Sequence, residues 1–153
     1  MSEPATEVLF YHLERLPLER VLPSLLTRTL ERGWRAVVQV GGAERLEALD
    51  AQLWTFADDS FLPHGTARDG APDRQPILLT LGPENANGAG VRFLLDGADM
   101  ETFEGYVRIV VVFDGRDEEA VATARAQWQR VRAQGCKATY WRQSDAGRWE
   151  QKA

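Results

Sequence analysis

The densest apolar run of the chain, Val107 to Phe113 (VRIVVVF), is hydrophobic at positions of both parities. A strand with one wet face alternates apolar and polar residues. This one therefore reads as a strand covered on both faces, inside a parallel sheet. Asp114-Gly115 turns the chain, and Asp117, Glu118 and Glu119 put negative charge into the first turn of a helix, where the backbone dipole favours it. Gly135, able to take the left-handed position after a last turn, ends that helix.

Upstream, the apolar period switches between two and 3.6. Glu7 to Glu14 (EVLFYHLE) reads as a first strand. Pro17 opens a helix to about Gly33, with Leu18, Val21, Leu22, Leu25, Leu26 and Leu30 on its buried side and Pro23 as an interior irregularity that kinks or shortens the first turns. Arg35 to Val40 is a second strand, and Gly41-Gly42 leads into a helix with Leu46, Leu49 and Leu53 at helical spacing. Pro76 to Leu81 and Val91 to Leu95 read as strands separated by a surface turn, GPENANGAG. A short helix or turn at Asp99 to Glu104 and a last strand at Lys137 to Arg142 complete the pattern, with residues 1–6 and 144–153 as loose tails. A β-α-β-α start predicts right-handed crossovers and a mainly parallel sheet. The expected architecture is a single-domain, three-layer α/β/α Rossmann-like fold over residues 1–153.

Composition narrows the possibilities. The 153 residues can bury a sizeable core. No apolar run approaches the roughly 20 residues of a membrane span, and no basic segment precedes an apolar one at the start, so the expected location is the cytoplasm. One cysteine, Cys136, excludes an internal disulfide. A net charge of -5 argues against duplex binding, which needs a basic face, but leaves room for a local basic pocket. All but two of the 18 Lys and Arg residues are arginines, and neither Lys137 nor Lys152 follows a glycine-rich turn.

A parallel α/β pattern invites a nucleotide site, yet G-x-x-x-x-G-K-[ST] and G-x-G-x-x-G are both absent. VQVGGAERL places two glycines between strand and helix with neither a lysine nor a third spaced glycine. There is no G-x-S-x-G elbow. His12 and His64 sit on different segments without ligand-spaced partners, so neither a metal nor a cofactor is expected. His12, on an apolar strand, reads as a satisfied core or edge residue.

Two groups of residues stand out. On the long helix, Ala120, Val121, Ala124, Trp128 and Val131 share the side expected to face the sheet, and Arg125 and Arg132 fall together at its margin beside Val121 and Trp128. Two arginines snorkelling over an apolar edge are one reading. A small site for an acidic group attached to something apolar is the other, and the helix alone does not decide. The second group is LWTFADDSFLPHG, Leu53 to Gly65, which crowds large apolar side chains into a helix end and a loop. It either closes over the core or forms a contact patch.

Trp54 followed by Ser60-Phe61-Leu62-Pro63-His64, after this start, resembles the chi subunit family of the bacterial DNA polymerase III holoenzyme. FYHL, ERGWRAVV, PILLT, VVVFDG and ARAQWQRVRAQG extend the resemblance from about Glu7 to Trp141. It implies a non-enzymatic accessory protein of the clamp-loader assembly, Rossmann-like but without a nucleotide site. It also implies a bridge to single-stranded DNA-binding protein, made by gripping the acidic, Phe-ending carboxyl-terminal tail of that protein. By the same resemblance, tail binding falls on Arg125, Trp128 and Arg132 with Val121 beside them. Contact with a psi subunit or another clamp-loader subunit falls on Trp54, Phe61, Leu62, Pro63 and His64. Residues 66–75 and 82–90 are this sequence's own. Two rival readings are a degenerate nucleotide-binding or helicase-like α/β domain and a small α/β enzyme.

Overall fold

The run at 107–113 becomes a central strand because it has partners on both sides and cover on both faces. In the computed structural model, residues 6–14, 16–55, 64–66, 72–144, 146 and 148–153 are described, Trp54 and Thr55 by backbone only. The elements run β1 (Glu7–Leu13), α1 (Leu18–Glu31), β2 (Ala36–Gln39), α2 (Ala43–Thr55), β3 (Gly65–Thr66), β4 (Ile77–Thr80), β5 (Val91–Leu94), β6 (Arg108–Asp114), α3 (Glu118–Ala133), β7 (Lys137–Gln143) and β8 (Trp149–Gln151). The described strands form one sheet in the order β3-β4-β2-β5-β6-β1-β7-β8, parallel except for the antiparallel β7–β8 pair. Val110 and Val112 enter the core beneath α1 and α2, while Ile109 and Val111 enter a second core beneath α3. The three-layer α/β/α arrangement is thus the expected one.

Pro23 does not shorten α1, which begins at Leu18 and continues through it. Proline lacks the N–H that would meet the carbonyl of Glu19 one turn back. Gln52 of α2 supplies the missing donor, its Nε2 reaching Glu19 O at 3.0 Å. Arg45 ties the same corner together, pairing with Glu19 at 2.6 Å and Asp96 at 3.0 Å.

The carboxyl-terminal tail is not loose. Trp149–Gln151 adds β8 to β7, because Trp149 packs edge-on against Tyr11 with ring centres 4.8 Å apart. At the other end, residues 1–5 lie outside the described residues, but Thr6 is buried and donates its hydroxyl to Tyr106 O at 2.8 Å. Residues 99–104 form an irregular, bent segment rather than a helix, gripped by Gln127 and Arg130 of α3 and by Gln134 at its end. The 82–90 turn is held by Arg92, a fully buried arginine whose guanidinium donates to Gln39 Oε1, Glu84 O, Gly82 O and the Tyr106 hydroxyl. Those acceptors offset the cost of burying its charge.

Candidate functional site

Strand alternation decides what β1 and β7 offer to α3. Val8, Phe10 and His12 point toward the helix from β1, and Ala138, Tyr140 and Arg142 point the same way from β7, where Phe10 is paired with Tyr140. The helix is well started, its Asp117 carboxylate accepting from the N–H groups of Glu119 at 3.0 Å and Ala120 at 3.4 Å. It ends as expected, with Gly135 at φ +79°.

The buried side of α3 differs from expectation. Ala124, Gln127 and Val131 are buried, whereas Val121 and Trp128 are half-buried and Ala120 is also partly exposed. Gln127 turns inward because it satisfies the neighbouring segment, donating to Ala98 O and Asp99 Oδ1, both at 3.1 Å. Docking this polar position leaves Val121 and Trp128 beside an open hollow.

That hollow, of about 400 Å³, has Phe10, Phe113, Val121 and Trp128 for apolar lining and Arg125, Arg142, His12 and Tyr140 around them. Trp128 meets Phe10 at 5.3 Å and Tyr140 at 6.5 Å, both edge-to-face. Such a set of rings holds its shape without a ligand. Arg125 is exposed and makes no hydrogen bond or ion pair among the described residues. Arg130, by contrast, is bound to Met100 O at 2.8 Å, pairs with Asp99 and lies 5.6 Å from the Phe103 ring centre.

A polar chain crosses one side of the hollow. The Tyr140 hydroxyl meets His12 Nδ1, His12 Nε2 lies 3.1 Å from Glu14 Oε1, and Arg142 pairs with the same carboxylate. Burial lowers the His12 pKa below its ordinary value, the positive charge of Arg142 adds to this, and Glu14 opposes both. Burial raises the Tyr140 pKa, against the pull of Arg142. A neutral His12 donating from Nε2 to Glu14 and accepting from Tyr140 at Nδ1 satisfies the whole chain.

The four residues singled out on α3 do not share one depression. Val121, Arg125 and Trp128 line the hollow, while Arg132 lies across Trp128 in a neighbouring depression with Cys136 and Ala138. Phe10, His12, Phe113, Tyr140 and Arg142 joined the site without any signal from the helix pattern. They become neighbours only once β1, β6 and β7 pair.

Of the second group, Phe61, Leu62 and Pro63 lie outside the described residues, and Trp54 is described by backbone alone as part of α2. His64 is buried, its Nε2 3.2 Å from Asp50 O. Its imidazole anchors the chain to α2 rather than presenting itself at the surface.

The crevice at the carboxyl ends of the strands, where this architecture binds nucleotides elsewhere, carries Glu19, Asp96, Asp114, Asp117 and Glu119, with Arg45 and Arg116 already paired to carboxylates there. The Asp117 carboxylate takes the α3 N–H groups that a phosphate would need. Gly41 serves packing, since a Cβ there would overlap the carbonyl of Asp96. Among the described residues, no group of three His, Cys, Asp or Glu side chains could hold a metal ion.

Comparison with known proteins agrees with the resemblance. The family described as DNA polymerase III chi subunit, HolC, matches residues 5–139. A protein of Rickettsia prowazekii (strain Madrid E) named "Probable DNA polymerase III subunit chi" is 25% identical over 111 residues, covering 68% of this chain and 67% of the relative. A match across nearly all the described elements, from β1 into β7, means that this chain belongs to the DNA polymerase III chi subunit family.

Proposed function

We propose that the chain is a non-catalytic accessory subunit of the clamp-loader assembly that captures the acidic carboxyl-terminal tail of single-stranded DNA-binding protein and links it to the replicative polymerase. The observation that carries this reading is the hollow beside α3, an aromatic floor rimmed by Arg125 and Arg142. A tail of this kind presents a terminal carboxylate next to an apolar side chain, with aspartates before it. The apolar end fits against Trp128 and Phe10, and a guanidinium holds the carboxylate bidentately. Arg132, across Trp128, is suited to an upstream aspartate. The net charge of -5 repels such a tail at long range, so capture depends on this local cluster and weakens with salt.

Calorimetric titration of a tail peptide tests the reading. Arg125→Ala removes one charge-assisted contact worth about 1.5–3 kcal/mol, a loss of about 10- to 150-fold in affinity. Arg74→Ala, an exposed residue beside the β3–β4 edge, is expected to bind as the wild type does. Equal binding by both variants sinks the assignment. Trp54, Phe61, Leu62 and Pro63 are proposed as the contact with a psi subunit or another clamp-loader subunit, with the buried His64 holding the end of their segment against α2, checked by co-purification with Trp54→Ala. This work belongs in the cytoplasm, and among the described residues no helix is long and apolar enough to cross a membrane.

A further inference from the structure

The face of the sheet opposite α3 carries a second arrangement of rings and arginines. Parity places Tyr11 of β1, Trp141 of β7 and Trp149 of β8 on that face, since Tyr11 pairs with Trp141, and Gln143 with Trp149, across neighbouring strands. The α1–α2 layer packs over β2, β4 and β6. At its margin, Tyr11 and Trp149 pack against the edge of the core beneath α1. Tyr11 and Trp141 are stacked, with ring centres 6.2 Å apart and planes inclined by 18°, and Trp149 stands edge-on to Tyr11. All three rings are partly buried, each with a portion left at the surface.

Positive charge borders this ledge where α1 ends. Arg32 and Arg108 lie 5.9 Å and 5.4 Å from the centre of the Trp34 ring, and Arg28 lines the same cleft. Glu7, 3.5 Å from Arg108, is the carboxylate paired with the group. Burial raises the Tyr11 pKa, while Arg108, Arg28 and Arg32 all act to lower it, which places the three guanidinium groups around one ring. In an acidic protein such a concentration calls for a polyanion. Flat rings at the margin of a sheet face call for flat ligands.

We propose that the Tyr11–Trp141–Trp149 ledge, with Arg28, Arg32 and Arg108 beside it, is a stacking platform for single-stranded nucleic acid without sequence preference. Unpaired bases stack on the rings while the arginines follow the phosphates. Duplex does not fit this chemistry, because its bases are already stacked on one another. The surface lies on the opposite side of the sheet from the hollow under α3, so both can be occupied at once.

Fluorescence anisotropy of a labelled 20-nucleotide oligo(dT), on the full chain, provides the test. The single strand binds more tightly than a duplex of equal length or an abasic backbone. Three phosphate contacts give a slope of log affinity against log salt of about -2, at roughly -0.7 per contact on single strands. In Arg28→Ala/Arg32→Ala the slope falls to about -0.7. Trp141→Ala weakens binding by about 5- to 150-fold, the loss of one base–aromatic stack, and Trp141→Phe restores most of it. Arg74→Ala binds as wild type. Circular dichroism confirms that each variant is folded, and if Trp141→Ala is not, the arginine pair decides. No binding at low salt, equal affinity for the abasic backbone, or an unchanged slope in the arginine pair overturns the proposal. Displacement of the oligonucleotide by the acidic tail peptide also overturns it, because the strand would then occupy the α3 hollow. Failure of the tail titration with oligonucleotide binding intact would instead remove only the proposed tail site.

Discussion

Phe10 and Tyr11 are adjacent on β1 and face opposite sides of the sheet. Phe10 lies under Trp128, 1% exposed, as the floor of a hollow made when α3 covers that face. Tyr11 lies partly buried between Trp141 and Trp149 at the margin of the core beneath α1, in a cleft shared with Leu25, Arg28 and Arg32. Similar ingredients, aromatic rings with arginines at the border, yield a hollow walled by α3 on one side and a ledge at the margin of α1 on the other. The helix makes the difference: it supplies a wall, and the wall turns a surface into a pocket suited to a chain end rather than to a row of flat rings.

The largest expected effect separates floor from ledge. Phe10→Ala is expected to lower stability by about 3–5 kcal/mol in urea denaturation, the range for a buried aromatic. Tyr11→Ala removes a partly buried ring and is expected to cost less, about 2 kcal/mol. Equal losses would mean that the ledge belongs to the core.

Next is the polar chain beside the hollow. A Cβ at position 115 would overlap the His12 imidazole. Gly115→Ala therefore forces His12 away from Tyr140 and Glu14, at an expected cost of about 1–3 kcal/mol, the usual range for overpacking. A shift in the His12 ring proton resonances would report the displacement.

A smaller effect distinguishes binding arginines from structural ones on the same helix. Arg130→Ala breaks the hold on Met100 O and Asp99 and is expected to cost about 1–3 kcal/mol. Arg125→Ala is expected to change stability by no more than about 0.5 kcal/mol while weakening the tail peptide. A large stability loss at Arg125 would make it a structural residue.

The smallest effect is that of pH. Because His12 has a folded pKa below its unfolded value of 6.5, the unfolded chain takes up the proton first as pH falls. The stability associated with a neutral His12 is present above about 6.5 and is lost as pH drops toward the folded pKa. Glu14 and Asp114 oppose this shift and Arg142 reinforces it, so the slope is expected to be shallow. His12→Gln should flatten the urea midpoint over that interval, and an unchanged slope would place the titration elsewhere.

Some of this was legible in the residues alone. The apolar run at 109–113 required cover on both faces, and it has it. Asp117 and Gly135 marked the ends of α3 within a residue or two. Arg125 beside Val121 and Trp128 was visible from the 3.6-residue period, because it is a relation within one helix. Arg132 was not separated from them on that basis, since the wall between the two depressions is the Trp128 side chain packed on Phe10 and Tyr140.

What only tertiary structure decided involved residues far apart in the chain. Gln127 reads as polar and outward until the 98–104 segment offers it two acceptors. The run Arg148 to Ala153 reads as a tail until Trp149 finds Tyr11 more than 130 positions away. His12, Tyr140 and Arg142 form one polar chain only through the β1–β7 register. Local period and composition, by themselves, determined the three helices and most of the strands, though neither β3 nor β8, because hydrogen bonding and amphipathicity act over a few residues. Which face stays bare and which becomes a hollow depended on strand order and helix placement, because those follow from burying the whole apolar surface at once.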